Sequence, residues 1–269
     1  MAFLQGGRRG ALGTGPAWVK RGPMPVSRRY LKQQWLYVAA LARHHQLDAV
    51  EYLVFEDRKL AFLVVSKVAC TSIKRAIGSV YGIDGPDIHA APGWVRRWGR
   101  LSGPEADYYT FAFVRDPFER LVSCYRDKIL WEPTSTIYPT PYFDVYPFSM
   151  PTNMPFREFV RRVCRIPDRL ADRHFKSQYA HLYHHGRSQV QFVGRMEHLG
   201  EDWRTVAERF ALPLSLGRSH ATAKAGDDYR SYYTPELVEA VYTRYRKDFE
   251  ELGYPNARAE LLAFLGERG

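Results

Sequence analysis

Two stretches of this 269-residue chain carry residue types suited to holding anions. The first is Lys67-Val-Ala-Cys-Thr-Ser-Ile-Lys-Arg-Ala-Ile77 and the second is Phe113-Val-Arg-Asp-Pro-Phe-Glu-Arg-Leu-Val-Ser123. Each starts where an apolar run stops and turns at once into a helical pattern rich in Lys, Arg, Ser and Thr. A helix N-terminus attracts negative charge through its unpaired N–H groups and its dipole. In the first stretch Lys67 adds a mobile cation, and Thr71 and Ser72 add hydroxyl donors, beside Val68, Ala69, Cys70 and Ile73 of the same loop and first turn. In the second, Arg115 stands where its fork could take a phosphate bidentately, and Ser123 could reach the same anion from two turns into the helix. Two such turns on one rim would hold both ends of a nucleotide with phosphates at each end. Plainer readings stay open: a capped surface helix with a solvated Lys67, Arg115 paired with Asp116 or Glu119, and Ser123 as a packing residue. The sequence G-x-x-x-x-G-K-[ST] of a Walker loop is absent.

The elements that must position these residues are legible in the pattern. Leu60–Val65 is a continuous apolar run, the mark of a buried strand, and Glu51–Phe55 reads as a second strand joined to it by a tight turn at 56–59. Ile73, Ala76, Ile77 and Val80 then recur at helical spacing, predicting a helix from near Thr71 to near Gly82. Tyr108–Val114 is rich in β-favouring residues, with Asp116 as N-cap and Pro117 in the first turn of a helix that buries Phe118, Leu121, Val122 and Tyr125. Further helices are expected over 27–46, with Leu31, Trp35 and Val38 on one face, over 156–164 and 200–210, and as one long terminal helix over 235–251; a strand is expected over 190–193. The Pro-, Thr- and Tyr-rich stretch 131–155 lacks periodicity and reads either as a loop bordering a binding site or as a poorly ordered insertion.

Both anion-binding stretches resemble the sulfotransferase superfamily, and the membrane-type carbohydrate sulfotransferases (the chondroitin 4-O- and HNK-1 group) more closely. Lys67–Thr71 and Lys74-Arg75 match the first motif, with Ser72-Ile73 replacing an expected Asn-Trp; Arg115–Ser123, continued by Tyr125-Arg-Asp-Lys128, matches the second. Asp172-Arg-His-Phe175 and Phe192–Leu199 are weaker echoes, and the likeness runs from about residue 50 to 254. The resemblance implies a single P-loop-like α/β domain over 30–269, with a central, mainly parallel sheet flanked by helices, preceded by a basic, Gly- and Pro-rich segment over 1–29. It implies PAPS (3′-phosphoadenosine 5′-phosphosulfate) as sulfuryl donor, its 5′-phosphosulfate on the first turn and its 3′-phosphate on the second, with no metal. Lys67 would stabilise the leaving 5′-phosphate; Lys74 either helps or faces solvent. The acceptor would be a hydroxyl, preferably of a glycan. A non-catalytic nucleotide- or glycan-binding protein on the same fold is the alternative.

Such a transfer needs a base, and nine histidines compete. A histidine between the two cofactor turns is the base in the related uronyl 2-O-sulfotransferases, which favours His89; a surface-loop role for it stays open. His174, in the Asp-x-His-like segment, is the second candidate, as base or as acceptor contact. His181, His184 and His185 have no carboxylate or cysteine close in sequence to complete a metal site and read as helix-surface residues. Arg96, Arg97 and Arg100 could receive an acidic acceptor or form a solvated face.

A formal charge of +10 points to an anionic partner, and no DNA- or RNA-binding signature accompanies it. A kinase lacks its Walker lysine context and a clear Mg²⁺ carboxylate. Three cysteines, Cys70, Cys124 and Cys164, give no even disulfide framework. No acidic residue precedes Asp48, so the start reads as a transit peptide or a basic tail. The run 35–42 is far below the ~20 residues of a bilayer span, and no N-x-[ST] site occurs. A cytoplasmic enzyme is expected; the acceptor and the oligomeric state are not encoded in the motifs.

Overall fold

The apolar runs form the centre of the molecule. The structure, a computed structural model, describes residues 28–83, 95–130, 142–216 and 228–267, with the backbone alone at 29, 95–97 and 145. Strands β1 (Glu51–Phe55) and β2 (Leu60–Val64) pair antiparallel with Phe55 opposite Leu60, as the hairpin pattern predicts. Lys59 closes the turn in the left-handed region at φ 46°. Every residue of both strands is buried, which explains the unbroken apolar runs.

Helix α2 (Cys70–Val80) follows β2, and β3 (Val95–Trp98) returns antiparallel to β1. Strand β4 (Tyr109–Val114) pairs parallel with β2 and leads into α3 (Pro117–Lys128). After α4 (Phe156–Arg165), the short α5 (Gln178–Leu182) and a small ribbon of β5 (Tyr183–His184) and β6 (Arg187–Ser188), strand β7 (Phe192–Arg195) pairs parallel with β4. The sheet order is β3-β1-β2-β4-β7. Because β1 is antiparallel to both its neighbours, it alone runs against the other four strands. The sheet is therefore mainly parallel, as expected, and the ends of β2 and β4 share one rim, where ligands bind in such folds.

Helices α1 (Arg28–His44), α6 (Leu199–Arg209), α7 (Pro235–Arg244), α8 (Arg246–Glu251) and α9 (Ala257–Gly266) complete the α-helices of the described residues. On α3, Phe118, Leu121, Val122 and Tyr125 are buried as predicted; on α4 the buried face includes Phe159, Val160 and Val163.

Two expectations are corrected. The terminal helix over 235–251 is two helices, broken at Tyr245 (φ −112°, ψ 23°), whose buried hydroxyl donates to the Phe175 carbonyl at 2.6 Å. The late strand starts at Phe192, not Val190, because the Gln191 backbone and side chain are both engaged with Thr110. Gly194 then lies opposite Phe113, whose ring would meet a Cβ at 2.4 Å.

Candidate functional site

The first loop turns sharply between β2 and α2. Lys67 (φ 72°) and Ala69 (φ 53°) both adopt the left-handed region without being glycine, a cost of roughly 1–2 kcal/mol each. Such strain is typical of ligand-binding turns. It lets α2 begin directly behind the loop, with Ile73 N–H closing the first turn on the Ala69 carbonyl at 3.1 Å. Ala69 at the cap offers no side-chain acceptor, and the first turn holds no acidic residue, a composition that suits an incoming anion. Val68 and Ile73 are sealed in the core; Cys70 and Thr71 are partly exposed; Ser72 is buried. Lys74 is buried as well, so it is not a solvent-facing lysine.

The second loop is held from outside. The Gln178 side chain grips the Arg115 backbone at both edges: Arg115 N–H donates to Oε1 at 3.0 Å and Nε2 donates to the Arg115 carbonyl at 2.8 Å. Asp116 caps α3, its carboxylate accepting from Glu119 N–H at 3.0 Å, and its own N–H donates to Glu197 at 2.8 Å. Burial, with Glu197 and Glu119 nearby, raises the Asp116 carboxyl to about 6, against the pull of backbone hydrogen bonds from the first turn. The Arg115 guanidinium reaches Glu119 through Nη2, one of the plainer readings of the sequence. Its Nε is buried with no hydrogen-bond partner. Buried donors are rarely left so, and an anion at this rim would satisfy it.

Helix α3 joins the two loops. Arg120, Ser123 and Asp127 stand at i, i+3 and i+7 and so share a face. Arg120 on that face donates to the Ser66 carbonyl at 3.0 Å, and Asp127 accepts from Lys67 Nζ at 2.9 Å. Ser123, buried between them, is thus on the side of the first loop.

From Lys67 a continuous chain of contacts reaches His174. Lys128 Nζ lies 3.1 Å from the same Asp127 oxygen and 4.4 Å from the centre of the Tyr142 ring. Tyr142 stands edge-on to His174, with centroids 4.8 Å apart, and its hydroxyl donates to Asp172 at 3.3 Å. Asp172 Oδ1 accepts from His174 N–H at 2.9 Å and lies 2.7 Å from His174 Nδ1. Burial raises the Asp127 carboxyl, but Lys67 and then Lys128 outweigh it and hold it at about 2. Burial lowers His174; the Asp172 charge opposes that, Lys128 adds to it, and the net direction is down. His174 is therefore a neutral imidazole near pH 7, with Nδ1–H on Asp172 and the lone pair on Nε2. A carboxylate that fixes the tautomer in this way orients a base.

The structure thus brings Lys67 and His174 into one cluster and sets Ser123 and Arg115 on the flanking helix and its entry. His89 lies outside the described residues. The side chains of Arg96 and Arg97 are likewise not described, and Arg100 lines a cavity of about 260 Å³, with Thr110, Gln189 and Gln191, that shares no residue with the cluster. Tyr142 lies in the stretch 131–155, so the described end of that loop reaches the site. His181 is corrected: it is buried, not on a helix surface, because α5 packs inward there. Among the described residues no group of three or more His, Cys, Asp or Glu could hold a metal ion.

Sequence reasoning did not assign roles to Arg120, Asp127, Lys128, Asp172 or Gln178. Asp127 was within reach, since its spacing from Arg120 and Ser123 places it on their face; Gln178 carries no local signal.

The chain is similar to carbohydrate sulfotransferase 12 of Xenopus laevis, 25% identical over 77% of this chain and 60% of that protein, and to its Mus musculus counterpart, 26% identical over the same shares. It is also similar to carbohydrate sulfotransferase 11 of Danio rerio, 36% identical over 30% of this chain and 27% of that protein. The chain thus spans about three fifths of the length of the first two relatives. No solved structure matches it. The expected cytoplasmic placement does not stand, because it conflicts with the membrane-type carbohydrate sulfotransferases to which the chain is similar. Among the described residues no helix is long and apolar enough to cross a membrane. The profile of the sulfotransferase family matches residues 50–255, which include both loops, α3 and the Asp172–His174 pair, and the chain belongs to that family.

Proposed function

We propose that this protein transfers a sulfuryl group from PAPS to a hydroxyl group of a carbohydrate. The observation that carries the proposal is the cluster running from Lys67 through Asp127, Lys128, Tyr142 and Asp172 to His174. It sets a cation aimed by Asp127 at one strand–loop–helix turn within one network of an oriented, neutral histidine.

The residues fit the donor. The acid-free start of α2 suits a phosphosulfate, and the unpartnered Arg115 Nε suits a second phosphate. When bound, PAPS supplies the electrophilic sulfur and a phosphate leaving group. His174 Nε2 accepts the proton of the acceptor hydroxyl as its oxygen bonds to sulfur. Lys67 places its charge beside the oxygen released as the bond to the 5′-phosphate breaks, the electrostatic help that in-line transfers require. The products are a sulfate ester and PAP (3′,5′-adenosine diphosphate). The Asp172–His174 pair is the feature a non-catalytic binding protein would not need, so that alternative is not favoured.

The test is a transfer assay with radiolabelled PAPS and a panel of unsulfated glycosaminoglycans, comparing wild type with His174→Ala and His89→Ala. Label transfer by wild type, lost in His174→Ala with PAP binding retained, supports the proposal. Loss in His89→Ala alone would move the base to that residue.

A further inference from the structure

Helix α1 turns an apolar stripe outward. Leu31, Trp35 and Val38 are 57%, 68% and 65% exposed, and with Ala42 they follow the i, i+4, i+7, i+11 spacing of a single face. The opposite side of the helix is the packed one: Tyr37 and Leu41 lie against the core, and Tyr37 meets Tyr146 edge-on at 6.3 Å. Three exposed apolar side chains, one of them Trp, are more than α1 needs to hold its place. Alongside them runs a row of exposed cations, Arg28, Lys32 and Arg43, with no acidic residue on the helix. The same bias covers residues 1–47, which contain eight Lys and Arg and no Asp or Glu.

We infer that this face of α1 docks on an anionic lipid surface. An interfacial helix combines a Trp- and Leu-bearing face with flanking Lys and Arg, and its affinity rises with both apolar burial and anionic headgroups. An indole is suited to the boundary between headgroup and acyl chain. A second copy of the chain is the poorer occupant for two reasons. Like-charged rows would face each other. The outer face of a 17-residue helix, about 25 Å long and 10 Å wide, also offers roughly 250 Å² against the ~800 Å² per partner of a stable interface. The packed side of α1 meets Tyr146, which follows directly on the turn that carries Tyr142 to His174, so the helix would stand between a docked bilayer and the candidate site.

The experiment is co-sedimentation of the full chain with phosphatidylcholine vesicles and with vesicles containing about a third phosphatidylserine. Wild type is expected to bind the anionic vesicles, more weakly as salt rises. A Leu31→Ser, Trp35→Ser, Val38→Ser variant should bind about tenfold more weakly or worse, with PAP binding unchanged as the measure of an intact fold. Should that variant not fold, quenching of indole fluorescence by brominated lipid decides: it should be strong in wild type and reduced in the conservative Trp35→Phe. Absence of binding by wild type overturns the inference. So does undiminished binding of the serine variant, which would assign adhesion to the basic stretch 1–27. A wild-type dimer that the serine substitutions convert to monomer, without vesicle binding, would make a second copy the occupant and also overturn it.

Discussion

Arg120 Nε donates to the Ser66 carbonyl at 3.0 Å, so the second motif holds the backbone of the first. The other guanidinium nitrogens donate to the Lys176 carbonyl at 2.9 Å and the Arg173 carbonyl at 3.0 Å. One buried cation thus ties the first loop to the two residues that flank His174 and Phe175.

Arg120→Lys should break this tie while keeping the charge. An ammonium cannot span three carbonyls in the fixed geometry of a guanidinium. Buried acceptors would lose partners, and stability should fall by about 2–4 kcal/mol. Urea denaturation measures the loss, and PAP affinity of the folded fraction should fall with it as the loop at Ser66 relaxes.

Asp127→Asn should separate binding from turnover. Removing a carboxylate beside the site favours an anionic ligand, so PAP should bind equally or a few-fold more tightly. Lys67 loses the partner that aims it, so the turnover rate should fall about tenfold or more. Calorimetry and the transfer assay read the two effects separately.

Asp127 also makes stability depend on acid. Its carboxyl is held at about 2 against an ordinary 3.8. A depressed carboxyl contributes stability above its unfolded value and loses it as pH falls through the folded one. The loss should therefore occur between pH 3.8 and 2, with a magnitude of roughly 2 kcal/mol. Acid titration of wild type against Asp127→Asn should show the wild-type advantage present above that window, shrinking across it and gone below it.

As the proposed base, His174 should set the acid limb of turnover. Its folded value lies below the ordinary 6.5, so activity should hold through neutral pH and fall only under that value. The Asp172 charge is what opposes the effect of burial on His174. Asp172→Asn should move the limb further toward acid and cut the rate by about a hundredfold or more through loss of the oriented tautomer. The rate profile of the two proteins against pH checks both statements.

Much of the frame was legible in the sequence because it is set by neighbours. The β1–β2 hairpin follows from two apolar runs around a tight turn, and α3 starts at Asp116-Pro117 because cap and proline are local signals. The two strand–loop–helix turns, β2 into α2 and β4 into α3, were legible for the same reason. What was not legible is long-range. The break at Tyr245 depends on a carbonyl seventy residues away, and Gln178 on a backbone sixty-three residues away. His181 is buried by the packing of α5, which its own spacing does not announce. His174 was found through its segment, but its orientation rests on Asp172 and on Tyr142, a residue from a stretch without periodicity.

The central claim is that two separate loops hold one doubly anionic nucleotide, and calorimetric titration with PAP tests it most directly. Wild type should bind at micromolar concentration, and Lys67→Ala and Arg115→Ala should each weaken binding by about 2 kcal/mol or more, the worth of a hydrogen bond to a charged group. Absence of binding to wild type, or binding that neither substitution disturbs, would contradict the two-loop site.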